Sequence, residues 1–174
     1  TGGVMRINPQ FVEEYISSDS DLFCLVTHEL MHPMFGHFVY DSGELENIAA
    51  DMTINAVLSL VFSKASAYGS LFSKLYPPQG LEGLLRPGSR MHQSRYAQLY
   101  HAFYESHSRE NKLSTGEAIQ TLKILTPTRN IPCIVLLGTH GGHTGDNSAE
   151  GKTAGFPSDV LGEIAGDFKR VARN

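Results

Sequence analysis

The chain has 174 residues, of which 41% are hydrophobic and 18% charged, with a net charge of −4. This length and composition predict a folded single domain spanning residues 1–174. The 14 basic and 18 acidic residues are interspersed, so no basic stripe favours nucleic-acid binding. No apolar run is long enough to cross a bilayer and no signal peptide opens the chain, so we expect a cytoplasmic protein without membrane attachment.

The chain begins at Thr1 without an initiator methionine, from which we expect a fragment of a longer protein. Its two cysteines, Cys24 and Cys133, both lie in apolar runs, where reduced, buried thiols are common. We therefore expect free thiols rather than a disulfide.

Helical periodicity dominates the first part of the chain. Residues 4–7 predict a short strand, after which Asn8 and Pro9 open a helix that ends near residue 16. Apolar residues then recur at helical spacing from Asp21 onward, and this pattern is the strongest in the chain. A second long helix is predicted at residues 44–62.

Turn-rich segments separate the later elements. Residues 76–88 predict a loop, and a helix whose tyrosines belong to the core follows at residues 96–104. Ser114 and Glu117 form a capping-box pattern for a helix that ends near residue 125. Three further elements are predicted: a buried strand at 133–137, a glycine-rich loop at 138–145 and a helix at 158–171. We expect an α+β fold, mostly helical with a small sheet.

Two histidines four residues apart, His28 and His32, begin and end the segment His-Glu-Leu-Met-His. On a helix this spacing places both imidazoles on one face, where they can bind one metal ion. Glu29 lies beside that face, placed to take a proton from a zinc-activated water as general base. The motif predicts zinc hydrolase chemistry, and a catalytic zinc site needs a third protein ligand.

Asp51 is the favoured third ligand. With Asn47 and Asn55 it recurs every four residues and forms a polar stripe on an otherwise apolar helix. A carboxylate from the following helix completes many zinc sites, and the two asparagines would then contact ligands or substrate.

Three histidines are alternative ligands. His37 is half a turn out of phase with His28, so the chain must bend for it to reach the metal, and Pro33 or Gly36 would permit that. His140 and His143 lie in the glycine-rich loop, where they could bind the ion, stabilise a transition state or remain exposed.

Several motifs occur in an order that resembles a known metallopeptidase family. They are Asn8 to Val12, the segment His28 to His32 with Gly36 and His37, and the stripe from Asn47 through Asp51 to Asn55. Members of that family usually carry a C-terminal von Willebrand A-like domain and are often encoded beside an AAA+ ATPase.

The resemblance implies a zincin-like domain with His28 and His32 as zinc ligands, Glu29 as base and Asp51 as the acidic residue of the next helix. Pro33 departs from the family pattern, and the chain contains no von Willebrand A domain. We therefore expect a zinc metallopeptidase acting on a peptide or protein. The alternatives are an inactive zinc-binding adaptor working with an AAA+ ATPase, and a hydrolase of non-peptide amides.

Overall fold

Local capping explains where the first two helices begin. The structure, a computed structural model, describes residues 5, 7–41, 43–61, 68–106 and 113–126. Helix α1 spans Pro9–Tyr15, and the side chain of Asn8 accepts a hydrogen bond from a backbone N–H in its first turn. Helix α2 spans Asp19–Met34, and Ser18 caps it by accepting a hydrogen bond from the N–H of Asp21. The second helix therefore begins before Asp21, because Ser18 supplies the cap.

Pro33 and Gly36 determine how α2 ends. Pro33 lacks the N–H that would bond to the carbonyl one turn earlier, and the helix stops at the next residue. Gly36 has a φ of 67°, in the left-handed region that favours glycine. One turn of 3-10 helix, His37–Val39, follows. The bend suggested by the sequence thus takes the form of a helix end and a sharp turn.

Helix α3 spans Glu44–Val61, in agreement with the predicted helix at residues 44–62. It packs against α2, against a 3-10 turn at Glu82–Leu85 and against helix α6, which spans Thr115–Leu125. Its buried apolar side chains recur at helical spacing and include Leu45, Ile48, Ala49, Met52, Ile54 and Leu58. Helix α3 is therefore the element around which this core is assembled.

Helix α4 spans Tyr68–Leu75, a segment for which the sequence predicts no element. It packs against α1 and α2, with Leu71 and Phe72 fully buried. The turn-rich stretch predicted at residues 76–88 follows it. Burial of its apolar face stabilises this helix.

The tyrosine-rich segment forms a short helix that belongs to the core. Helix α5 spans Ala97–Tyr100 and continues as a π-helical turn, His101–Glu105. Tyr96 and Tyr100 are buried, and the hydroxyl of Tyr104 donates to a backbone carbonyl at 2.8 Å. The prediction that these tyrosines pack in the core is confirmed.

The capping box predicted for α6 is present. Glu117 N–H donates to the Ser114 hydroxyl, and the Ser114 N–H donates to the Glu117 carboxylate at 2.8 Å. These reciprocal bonds satisfy two backbone donors at the start of the helix. Helix α6 therefore begins where the sequence predicts.

The predicted α+β, zincin-like fold with a small sheet is wrong for the described part of the chain, which contains helices and no strand. Met5 and Ile7, from the strand predicted at residues 4–7, have no regular structure, and Ile7 is 43% exposed. A strand needs a hydrogen-bonded partner, and none lies among the residues described. The apolar faces of the helices are instead buried against one another.

Cys24 is a free, buried thiol, as predicted. Burial, followed by the charge of Asp21, raises the pKa of Cys24 to about 11. Cys133 lies outside the described residues, as do the elements predicted at 133–137, 138–145 and 158–171. None of the helices described is long and apolar enough to cross a membrane.

Candidate metal centre

Helix α2 brings His28 and His32 together, because residues four apart lie on the same helix face. Both side chains are fully buried, and their Nε2 atoms lie 3.2 Å apart. The two rings meet edge to face, with centroids 5.0 Å apart. The helix therefore presents two imidazole nitrogens at one point in the protein interior.

Asp51 of α3 adds a third donor atom. Its Oδ1 lies 3.5 Å from Nε2 of His28 and 3.3 Å from Nε2 of His32, and its side chain is fully buried. We call these three atoms the donor triangle. Ligand atoms about 2.0–2.1 Å from a tetrahedral zinc ion are about 3.4 Å from one another. The edges of the donor triangle match this spacing.

Glu29 lies beside the donor triangle. Ligand atoms of Glu29, His28 and His32 are all within 4.8 Å of one another. The Oε1 atom of Glu29 is buried and has no hydrogen-bond partner among the described residues. Burial raises the pKa of Glu29; the two imidazoles oppose this shift, and the charge of Asp51 adds to it. Glu29 is therefore a better proton acceptor than an exposed carboxylate.

Asp51 is a buried carboxylate that faces the imidazole rings of His28 and His32. Neither of its carboxylate oxygens has a hydrogen-bond partner in the described part of the chain. Burial works to raise its pKa, but the adjoining His28 and His32 outweigh burial and lower the pKa to about 2. The carboxylate is thus ionised at neutral pH, and a buried ion of this kind requires a cation beside it.

The charge of Asp51 also acts on His28. Burial works to lower the pKa of His28. The neighbouring Asp51, and after it Glu29 and Asn55, outweigh burial and raise this pKa. A proton on His28 can supply the positive charge in the metal-free protein, and a divalent ion at the donor triangle can supply it otherwise. The donor set therefore fits a metal cation.

Asn55, the last member of the polar stripe, orients the His28 ring. Its Nδ2 donates to the carbonyl of Leu85 at 2.8 Å, so its Oδ1 faces His28 Nδ1 at 2.9 Å. An amide oxygen only accepts, so Nδ1 of His28 carries a hydrogen and donates it. Neutral His28 therefore directs the lone pair of Nε2 into the donor triangle.

His37, the first alternative ligand, lies on the other side of His32 from the donor triangle. The turn at Gly36 brings its Nδ1 to 3.2 Å from Nδ1 of His32, whereas Asp51 lies at Nε2 of that ring. The Nε2 atom of His37 is 3.3 Å from the hydroxyl of Thr115. His37 is thus placed to orient His32 rather than to join the three donor atoms.

The other candidate residues from the sequence lie apart from this cluster or outside the described part of the chain. Asn47 is partly exposed on α3, one turn before the fully buried Asp51. His140 and His143 lie outside the described residues. The structure therefore brings together His28, Glu29, His32 and Asp51 from the predicted set.

Three residues near the site carry no signal in the sequence. Tyr76 is 2% exposed, and its hydroxyl has no hydrogen-bond partner in the regions described. Burial, followed by the charges of Asp51 and Glu29, raises the pKa of Tyr76 well above its usual range. Thr53 and Thr115 bond to each other at 3.2 Å. No sequence motif links Tyr76, Thr53 or Thr115 to the site, and their proximity to it is seen only in the folded structure.

No family model matches this chain, and neither the curated proteins nor the solved structures contain a match to it.

Proposed function

We propose that this chain is a zinc-dependent hydrolase that cleaves peptide bonds. The observation that supports the proposal is the buried donor triangle, whose edges measure 3.2, 3.3 and 3.5 Å. It combines two imidazole nitrogens with an ionised carboxylate, a ligand set used at catalytic zinc sites. The buried carboxylate of Asp51 supports it further, because a cation bound beside it would neutralise its charge.

Each residue of the cluster has a separate role in this proposal. A zinc ion held by His28, His32 and Asp51 would supply Lewis-acid activation of the water and of the scissile carbonyl. Glu29 accepts a proton from the attacking water and passes it to the leaving amine. Its raised pKa suits this exchange, because a general base works best when its pKa lies near the operating pH.

The ordered motifs around the cluster support membership in the metallopeptidase family that the sequence resembles. That membership would make a peptide or protein the substrate and an AAA+ ATPase a partner. Hydrolysis of another amide would use the same residues in the same roles.

Complete burial of the three ligands supports a second candidate, a zinc-binding adaptor without catalytic activity. Structural zinc sites usually fill all four coordination positions with protein ligands. Glu29 lies close enough to provide the fourth. In this case Glu29 would bind the ion, and the protein would act with a partner such as an AAA+ ATPase.

Zinc analysis and peptide-library cleavage of matched variants test both candidates. With zinc at saturating concentration we expect one zinc ion per chain in wild type, in Glu29→Gln and in His37→Ala, and loss of zinc in Asp51→Ala. Glu29→Gln should lower cleavage by about 10²-fold or more, because the base is lost while the metal remains. Glu14→Gln, which alters an exposed glutamate on α1, is the control and should behave as wild type.

The outcomes separate the candidates. Loss of zinc in Glu29→Gln, with no cleavage by wild type, would support the adaptor. Loss of zinc in His37→Ala but not in Asp51→Ala would overturn the ligand set. A wild-type protein that binds no zinc would overturn both functions.

A further inference from the structure

We propose that Thr115 and His37 are positioning residues that set the tautomer of His32. They would act through a hydrogen-bond relay that starts at the Ala49 carbonyl on α3 and passes through Thr53. The inference rests on the proposed zinc function, since it concerns which nitrogen of His32 is available to the ion. Each hydrogen-bond direction in the relay follows from which groups are able to donate.

The relay starts at a group that can only accept. The hydroxyl of Thr53 donates to the carbonyl of Ala49 at 2.8 Å, which uses its single hydrogen. The Oγ1 atom of Thr115 lies 3.2 Å from Oγ1 of Thr53, so Thr115 must donate in that bond. Its own hydrogen is then committed, and Thr115 can only accept from its next neighbour.

His37 is that neighbour. Its Nε2 lies 3.3 Å from the hydroxyl of Thr115 and therefore donates. A neutral imidazole has one N–H, so Nδ1 of His37 carries a lone pair. This lone pair faces Nδ1 of His32 at 3.2 Å, and His32 must donate there. The relay thereby leaves the lone pair of His32 Nε2 in the donor triangle.

Asp51 makes such a relay necessary. Its Oδ1 is 3.3 Å from Nε2 of His32, and a carboxylate favours an N–H at that distance. A hydrogen at Nε2 would occupy the direction that a metal ion needs. Hydrogen bonding at the opposite ring nitrogen is the usual way in which proteins hold a ligating histidine in the required tautomer.

The relay also connects the metal centre to α6. Thr115 is the first residue of that helix, directly after the capping residue Ser114, and it is 8% exposed. Because Thr115 lies far from α2 in the chain, it reaches His37 only when α6 is docked on α3. Docking of α6 would therefore determine whether His32 is prepared to bind the ion.

Three substitutions test this inference. Thr115→Val removes the hydroxyl but keeps the shape, Thr115→Ser keeps the hydroxyl, and Thr121→Val removes a hydroxyl elsewhere on α6, one that donates to a helix carbonyl. The zinc dissociation constant is measured by competition with a chromophoric chelator. The tautomer of His32 in the metal-free protein is read from its ¹⁵N NMR shifts above neutral pH.

Thr115→Val is expected to weaken zinc binding by about 10–100-fold and to move the His32 hydrogen towards Nε2. Thr115→Ser and Thr121→Val should retain the wild-type values of both measurements. Unchanged zinc affinity in Thr115→Val would overturn the inference and leave the proposed function intact.

Failure of the proposed function is distinguishable from failure of the relay. If the wild type binds no zinc, the tautomer of His32 in the metal-free protein still tests the inference. A hydrogen on Nε2 of His32 in wild type, or the same tautomer in wild type and Thr115→Val, would overturn it. If Thr115→Val does not fold, Thr115→Ala replaces it and is judged by the same outcomes.

Discussion

Asp21 is a fully buried carboxylate in the first turn of α2, and it connects that helix to α4. Lys74 Nζ lies 3.0 Å from it and the Ser70 hydroxyl 2.9 Å, while Ser17 donates from its backbone and its hydroxyl. Burial works to raise the pKa of Asp21, but the hydrogen bonds from Lys74, Ser70 and Ser17 outweigh it and hold that pKa well below its usual range. The ionised form is therefore strongly favoured in the folded protein.

Replacing Asp21 should make stability less sensitive to acid. A depressed folded pKa stabilises the protein above the unfolded pKa of about 3.9, and this stabilisation is lost as the pH falls. We expect Asp21→Asn to lower the free energy of unfolding by about 2–3 kcal/mol at neutral pH, with the difference narrowing below about pH 4. Urea unfolding at several pH values measures this, with Asp19→Asn as control. If the difference in unfolding free energy between wild type and Asp21→Asn does not narrow in acid, the pKa of Asp21 is not depressed in the folded protein.

The side chains of Asp51 and Asp21 are both inaccessible to solvent but are differently surrounded. Donors from three residues surround Asp21, whereas the oxygens of Asp51 have no hydrogen-bond partner among the described residues. Structural carboxylates resemble the first arrangement, because hydrogen bonds replace the lost hydration. The second arrangement is typical of a group that binds an ion, and it supports the proposed role of Asp51 as a metal ligand.

At the scale of elements, the end of α2 decides where His37 lies. Gly36 adopts a left-handed conformation, and a Cβ there would meet no atom within 4 Å. Any loss of stability on replacing Gly36 by alanine therefore comes from backbone strain and not from a steric clash. Gly116 in α6 has an ordinary helical environment, with the Tyr40 hydroxyl 3.7 Å from the position of a Cβ. Gly36 and Gly116 therefore form a matched pair for testing how backbone conformation sets the effect of alanine on stability.

Alanine should have opposite effects at these two positions. Gly36→Ala should lower the free energy of unfolding by about 1–2 kcal/mol, because L-residues are strained in the left-handed region. Gly116→Ala should raise it by up to about 1 kcal/mol, because alanine loses less entropy in a helix. Urea unfolding of the metal-free variants measures both changes. Effects of the same sign would show that backbone conformation does not govern them.

The helices differ in how well they can be predicted from the sequence. Long periodic segments and capping residues identified α2, α3 and α6, because these signals are local. Helix α4 is not predicted because Tyr68, Gly69 and Ser70 are weak helix formers. Its stabilising contacts are tertiary: the burial of Leu71 and Phe72, and the hydrogen bonds that Ser70 and Lys74 donate to Asp21. The strand predicted at residues 4–7 is absent at the described positions Met5 and Ile7, because strand pairing depends on a partner that local sequence does not specify.

At the scale of the whole molecule, the candidate metal centre lies between helices α2 and α3 and is fully buried. His28 and His32 come from α2 and Asp51 from α3, and the Thr115 of α6 contacts His37 behind them. An ion bound here would cross-link elements that separate on unfolding. Metal binding should therefore contribute to the stability of the entire fold.

Zinc should raise the melting temperature of the protein. At a free concentration one hundred times the dissociation constant, binding adds about 2.7 kcal/mol, which corresponds to about 5–10 °C for a chain of this size. Differential scanning fluorimetry of metal-free protein measures the shift. Asp51→Ala should show none, and magnesium should give none in wild type, because imidazole ligands do not suit it. An equal shift in Asp51→Ala would exclude Asp51 as a ligand.

The sequence by itself determined those parts of the site that depend on local geometry. Helical periodicity placed His28 and His32 on one face, with Glu29 beside it, and the four-residue repeat on α3 marked Asp51 and Asn55. Only the tertiary structure decided that Asp51, rather than His37, faces both imidazoles. It also decided that Asn55 is held by the Leu85 carbonyl beside His28, and that His37 is held by Thr115 beside His32. The reason is physical: spacing along one helix follows from its 3.6-residue turn, whereas contacts between helices follow from how the whole core packs.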